Sequence, residues 1–172
     1  MREDDPSDAV DTVIAQWRRE RPDLDLSAMG LFARMTRIAQ LAGPRLEEVF
    51  ARHGLRQGEF DVLAALRRSD EPYALMPSEL SAALMMSRAG MTNRLDRLEE
   101  AGLVERRLSP TDRRSFRVRL TAEGRAVVDA ALTDHAANLA RLVAGLAPAE
   151  RDVLDQALRA LARALDTAPE AP

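Results

Sequence analysis

Between residues 78 and 120 the hydrophobic period of the chain changes from helical to alternating, and that change constrains the fold more than any other feature. From Ser87 to Glu100, residues placed at about 100° intervals separate into two faces. Met91, Leu95 and Leu98 share one side and are expected to pack on Leu80, Leu84 and the helix before them. Ala89, Gly90, Asn93 and Arg97 lie roughly opposite. After Gly102, Phe116, Val118 and Leu120 alternate with Arg117 and Arg119, as in a half-buried strand with a basic outer face. Val104 and Leu108 begin a partner strand. Ser109-Pro110-Thr111-Asp112 supplies turn chemistry, with Asp112 as turn stabiliser and Arg113 and Arg114 at the tip. The order predicts a mainly α chain in which a helix-turn-helix is followed by a small β-hairpin wing.

Those residue types suit double-stranded DNA. Small side chains at Ala89 and Gly90 let a helix backbone approach the major groove, where Asn93 and Arg97 can contact adenine and guanine in bidentate fashion. Ser87 is placed to cap the helix and to reach a phosphate beside Arg88. The basic tip suits a minor groove, whose negative potential attracts Arg. An ordinary solvated helix face is the alternative for Ala89 to Arg97, and Glu100 on that side is such a surface residue.

The net charge of −3, taken alone, argues against a nucleic-acid partner, but an average conceals local sign. From Met85 to Leu120 nine Arg face five acids, a local +4. All 25 basic residues of the chain are Arg; because they are spread throughout, codon usage explains this better than selection for phosphate recognition does. The chain has no cysteine, which excludes disulfides, thiolate metal sites and thiol-based sensing. No apolar run is long enough to span a bilayer, and the acidic start MREDDPSDAV lacks a signal region, so a cytoplasmic protein is expected.

Outside the reading region the chain reads as helices. Ser7 is expected to cap a first helix carrying Asp8 and Asp11 at its positive end and an apolar stripe of Val10, Val13, Ile14 and Trp17. Ser27 is expected to cap a longer helix toward His53, bent or interrupted at Pro44, with Phe32, Met35, Ile38 or Ala39, Leu46, Val49 and Phe50 inward. Gly54 stops it, and a short helix follows over about residues 56–68. SDEPYALMP reads as a loop. Thr121 and Pro148 open two long closing helices, and Leu154, Leu158, Leu161 and Leu165 form a stripe that suits a helical dimer interface.

The pair SELSAAL–SRAGMTNRLDRLEEAGLV, the DRR wing and the LTAEG helix start closely resemble the MarR family of winged helix-turn-helix regulators. The resemblance covers nearly the whole chain. It implies a single protomer over 1–172, with a helical dimerisation region at 7–53 and 122–166 and a DNA-binding region at 54–121. It also implies a homodimer on a pseudo-palindromic operator, repressing until a small anionic ligand releases it.

Four residues are candidates for that ligand: Trp17, Asp61, Arg94 and Arg106. Arg94 lies near the buried face of its helix. Arg106 alternates with Val104 and Leu108, and a cation on an apolar side needs a partner, for which Asp61 is available. An N-terminal helix bearing Trp together with this Asp and Arg pair resembles the urate-responsive subgroup of the family. By that resemblance Arg94 or Arg106 would hold the anion, Trp17 would line the pocket and Asp61 would transmit the charge. The plainer alternatives are Asp61 favoured by the dipole of its helix's first turn, Trp17 as core and both Arg on phosphate.

Two other classes are weighed against a regulator. An enzyme finds no phosphate-cradling glycine loop, no nucleophile elbow and only the isolated His53 and His135, so neither a cofactor nor a metal is expected. A helical interaction module would explain the terminal helices but not the basic hairpin.

Overall fold

The computed structural model describes residues 7–108 and 116–167, which fall into two units, 1–48 and 49–172. In the first, α1 (Ala9–Glu20) is followed by all but the last three residues of α2 (Ser27–Ala51). The cap of α1 is Asp8, not the expected Ser7. Its carboxylate accepts the backbone N–H groups of Val10 and Asp11, and Asp11 returns a bond to the Asp8 amide. A carboxylate at that position satisfies orphan donors and meets the positive helix end at once. Val10, Ile14 and Leu26 form a small core with Ala33 against it, while Arg34 reaches Asp8 at 2.9 Å and Asp11 at 2.5 Å. Val13 and Trp17, expected to share the buried stripe, are about half exposed, as is Phe32; Ile38 is more exposed still. α2 runs through Pro44 without interruption.

The second unit is built on α3 (Gln57–Arg67), α4 (Pro77–Ala83), α5 (Arg88–Glu100), β2 (Val104–Leu108), β3 (Phe116–Leu120), α6 (Ala122–Leu142) and α7 (Pro148–Thr167). α2 ends where expected: Gly54 takes φ +69°, and the Leu55 amide bonds back to Phe50. Phe60, Val62, Leu63, Ala65 and Leu66 of α3 are buried with Leu80, Met91, Leu95, Leu98, Val118, Leu120 and Val128. Phe50 and Phe60 stack at 4.5 Å, the His135 ring packs tilted against both at 5.0 and 5.4 Å, and His53 meets Asp134 at 3.0 Å. Both histidines thus serve the packing of α6 on the end of α2.

The SDEPYALMP segment contains a strand, β1 (Ala74–Leu75), that the sequence does not signal. It pairs with β3, Ala74 opposite Arg119 and Leu75 opposite Val118, giving an antiparallel sheet in the order β1-β3-β2. Two residues cannot display an alternating pattern, so the strand exists only because β3 offers an open edge. β2 and β3 pair in register from Val104↔Leu120 to Leu108↔Phe116. Val118 and Leu120 are buried as expected, whereas Leu108 is largely exposed. No helix among the described residues is long and apolar enough to cross a membrane.

Candidate nucleic-acid interface

The local sequence builds α5 as a presented helix. The Ser87 side chain caps it by accepting the Gly90 amide at 3.2 Å. At the other end Gly102, at φ +72°, lets the Leu103 amide bond back to Leu98. Met91, Leu95 and Leu98 are each 1% exposed, which pins one face. Ser87, Arg88, Ala89 and Asn93 all lie on the exposed side. A continuous, accessible face with a hydroxyl, a guanidinium, a methyl and an amide is therefore present in the first two turns. Ser78 and Thr92, which sequence reasoning did not select, line a cleft of about 190 Å³ with Arg88 between α4 and α5. Ser78 sits at the start of α4 just after Pro77, the only sequence signal that could have singled it out.

Arg97 is more constrained than its place on the open face suggests. Its Nε donates to Glu59 Oε1 at 2.7 Å, and the Glu59 side chain is only 9% exposed. The other Glu59 oxygen accepts the Arg56 amide at 2.9 Å, closing the start of α3. Sequence reasoning missed Glu59, although its spacing three residues after Arg56 is that of a capping carboxylate. Glu59 is also the acid in the first turn of α3, a position expected for Asp61; with the helix starting at Gln57, Asp61 falls in the second turn and is partly buried.

Arg106 takes its partners from α5. Its guanidinium bonds Glu99 Oε2 at 2.7 Å and also Asp96, so the expected pairing with Asp61 is not formed. The reason is reach: β2 follows α5 after a tight turn, and the Arg106 backbone itself donates to Glu99 at 3.2 Å. Phe116 stands 5.5 Å from the same guanidinium, and Arg106 Nε is buried without a partner among the described residues. Arg94 is partly buried, lies against the backbone at Gly58, and directs Nη1 to the Met86 thioether. Among the described residues it has no carboxylate partner. Trp17 belongs to the other unit and is 48% exposed.

On the sheet, Arg117 Nη2 donates to the Ala74 carbonyl at 3.1 Å, with Glu79 3.7 Å away. Glu105 turns to Arg107 at 2.9 Å, and that hydrogen bond holds its carboxyl below the usual carboxylate range. The connection carrying Arg113 and Arg114 lies outside the described residues. No cluster of three or more His, Cys, Asp or Glu suited to a metal occurs among the described residues.

Residues 53–115 match the model of the MarR family. The chain is 40% identical over 145 residues to the HTH-type transcriptional regulator PecS of Dickeya dadantii, spanning 84% of this chain and 81% of that protein. Over 113 residues it is 37% identical to the transcriptional repressor MprA of Escherichia coli, covering 66% of this chain and 64% of the relative. Among solved structures, Sco3205 of Streptomyces coelicolor, a MarR family transcriptional regulator in complex with DNA, superposes with a TM-score of 0.74 at 25% identity, covering 86% of this chain and 92% of that one. AbsC from the same organism gives 0.73 at 26%, over 84% and 98%. With the capped α5, the three-stranded wing sheet and this relationship along most of its length, the chain belongs to the MarR family of winged helix-turn-helix transcriptional regulators.

Proposed function

We propose that this protein acts in the cytoplasm as a homodimeric repressor that binds a pseudo-palindromic operator in double-stranded DNA and is released by a small anionic effector. The observation that carries the DNA reading is the exposed start of α5, where Ser87, Arg88, Ala89 and Asn93 face outward while Met91, Leu95 and Leu98 are buried. Ser87 and Arg88 take phosphate, Ala89 permits close approach and Asn93 reads a base edge. Arg97 contributes through its bond to Glu59, which ties the third turn of α5 to α3. Arg113 and Arg114 are assigned to a flanking minor groove on their sequence alone.

A dimer is supported by α7, a helix of 20 residues none of which is buried within the chain. Leu154, Leu158 and Leu165 are 45 to 57% exposed along one stripe, an apolar face that needs a covering partner. A second copy would also place two reading helices against two half-sites.

The effector reading is supported by Arg94, a partly buried guanidinium whose contacts are a thioether and a glycine backbone. An anion there would acquire a charge-assisted partner on the reading helix itself. Asp61 is the acid that responds to it. Arg106, already balanced by Asp96 and Glu99, is the weaker receiver.

Gel-shift titration on a palindrome from the adjacent promoter tests the assignment. Sequence-selective binding that weakens steeply with salt is expected, and equal affinity for random duplex would overturn it. Urate, xanthine, tricarboxylates and phenolic acids are then added. Arg94→Ala and Asp61→Ser should blunt release by the effective compound while leaving operator affinity and dimer mass unchanged.

A further inference from the structure

We propose a second small-molecule site, separate from Arg94, in the cavity around Tyr73, and assign it to an organic oxyanion such as a phosphate ester or polycarboxylate. The cavity holds about 400 Å³ between the β1 segment, the end of β3 and the start of α6, and is lined by Glu71, Tyr73, Arg119, Thr121 and Arg125 among others. That volume falls in the range of metabolite pockets.

Three observations converge on it. Tyr73 has φ +55°, a left-handed backbone that a bulky side chain rarely adopts, three residues after Asp70, which is in the same region at +63°. Such strain persists only where surrounding contacts hold it, and it gathers at binding sites. Here the Tyr73 amide bonds Asp70 O at 2.6 Å, and Tyr73 O accepts the Leu120 amide at 3.2 Å. The strained backbone delivers the ring to two guanidiniums, with Arg67 5.1 Å and Arg125 5.0 Å from its centroid.

Charge accounting is the third observation. Arg67 is balanced by Asp129 at 2.8 Å. Arg119 stands opposite Glu105 across the sheet and within its field, but the Glu105 carboxylate takes its hydrogen bond from Arg107. Neither Arg119 nor Arg125 is ion-paired among the described residues. Two guanidinium forks that line one cavity from β3 and α6, neither in an ion pair among the described residues, suit an anion with several oxygens, while Glu71 limits the site to ligands that bring enough charge. Arg119 lies at the end of β3 remote from the 109–115 connection, and Arg125 is on α6. A ligand bridging them would couple the wing strand to the long helix that follows.

Tyr73 is the sole tyrosine of the 172 residues, so 3-fluorotyrosine incorporation into the protein gives one ¹⁹F resonance from the site. Inorganic phosphate and citrate are titrated at ionic strength matched with sodium chloride. A saturable shift is expected in the parent protein and in Arg94→Ala, weakened at least about tenfold in Arg119→Ala and in Arg125→Lys, which keeps the cation but loses the fork. A shift that does not saturate, that chloride reproduces, or that survives in a folded Arg119→Ala, Arg125→Ala double variant would overturn the site. Operator binding and release through Arg94 are read separately by gel shift, so failure of either reading leaves the other standing.

Discussion

Glu59 joins two helices through a single carboxylate: one oxygen takes Arg97 Nε at 2.7 Å from α5, and the other takes the Arg56 amide at 2.9 Å at the start of α3. Arg97→Ala leaves that buried acid with its backbone bond alone. A loss of about 1–3 kcal/mol is expected, the usual cost of stripping a buried polar group of a partner. Urea unfolding measures it, and an unchanged midpoint would show that the pair is idle. Glu59→Ala removes both bonds and should be the more destabilising of the two.

Gly58 and Arg94 make a second pair whose separation is a matter of a missing side chain. A Cβ on Gly58 would overlap the Arg94 guanidinium, the movable end of a flexible side chain. Gly58→Ala is therefore expected to keep the fold, since the added Cβ meets only that movable side-chain end, while displacing Arg94. The expected outcome is normal operator affinity with a weakened effector response in the gel shift. Gly124→Ala differs in kind, because its Cβ would meet the Leu103 carbonyl of the backbone. That variant should lose about 1–3 kcal/mol by overpacking.

On α5, Arg88 and Asn93 should fail in different ways. Arg88→Ala should weaken binding to all duplexes and reduce the salt slope by about 1, as for the loss of one phosphate contact. Asn93→Ala should leave the slope alone and lower discrimination at one base pair, by about 1–3 kcal/mol. Identical losses on specific and random DNA for Asn93→Ala would remove it from the reading set.

The first unit should be acid-sensitive. Asp8 and Asp11 are both held below the ordinary carboxyl value of 3.8, first by backbone amides and next by Arg34. Because the folded values are the lower ones, their contribution is complete above that ordinary value and disappears as pH falls through the folded ones. The fluorescence of Trp17, the sole tryptophan and a residue of α1, should change in that acid range. Arg34→Ala should move the change to higher pH. Coincident curves would mean that Arg34 does not hold the helix start.

Leu154→Asp with Leu158→Asp places charges on the exposed stripe of α7 without touching any residue buried in the chain. Sedimentation should show monomer where the parent protein sediments as dimer, with helical content largely retained. A dimer that survives both substitutions would move the interface elsewhere.

Periodicity alone determined most of the architecture. The buried face of α5, the Ser87 and Thr121 caps, the Gly54 stop, the change of period after Gly102 and the β2–β3 alternation depend on residues a few positions apart, and local spacing records them directly. The family was legible for the same reason. Tertiary structure decided what each charge meets. Glu59 and Arg97 are 38 positions apart, and Arg106 chose Asp96 and Glu99 over Asp61 because a tight turn lays β2 beside α5. β1 exists only because β3 offers it an edge, and Tyr73 met its two guanidiniums only once α3 and α6 had packed. A helical period tells which side of a helix is dry, but an ion pair depends on which distant element arrives opposite, and no spacing within either segment encodes that.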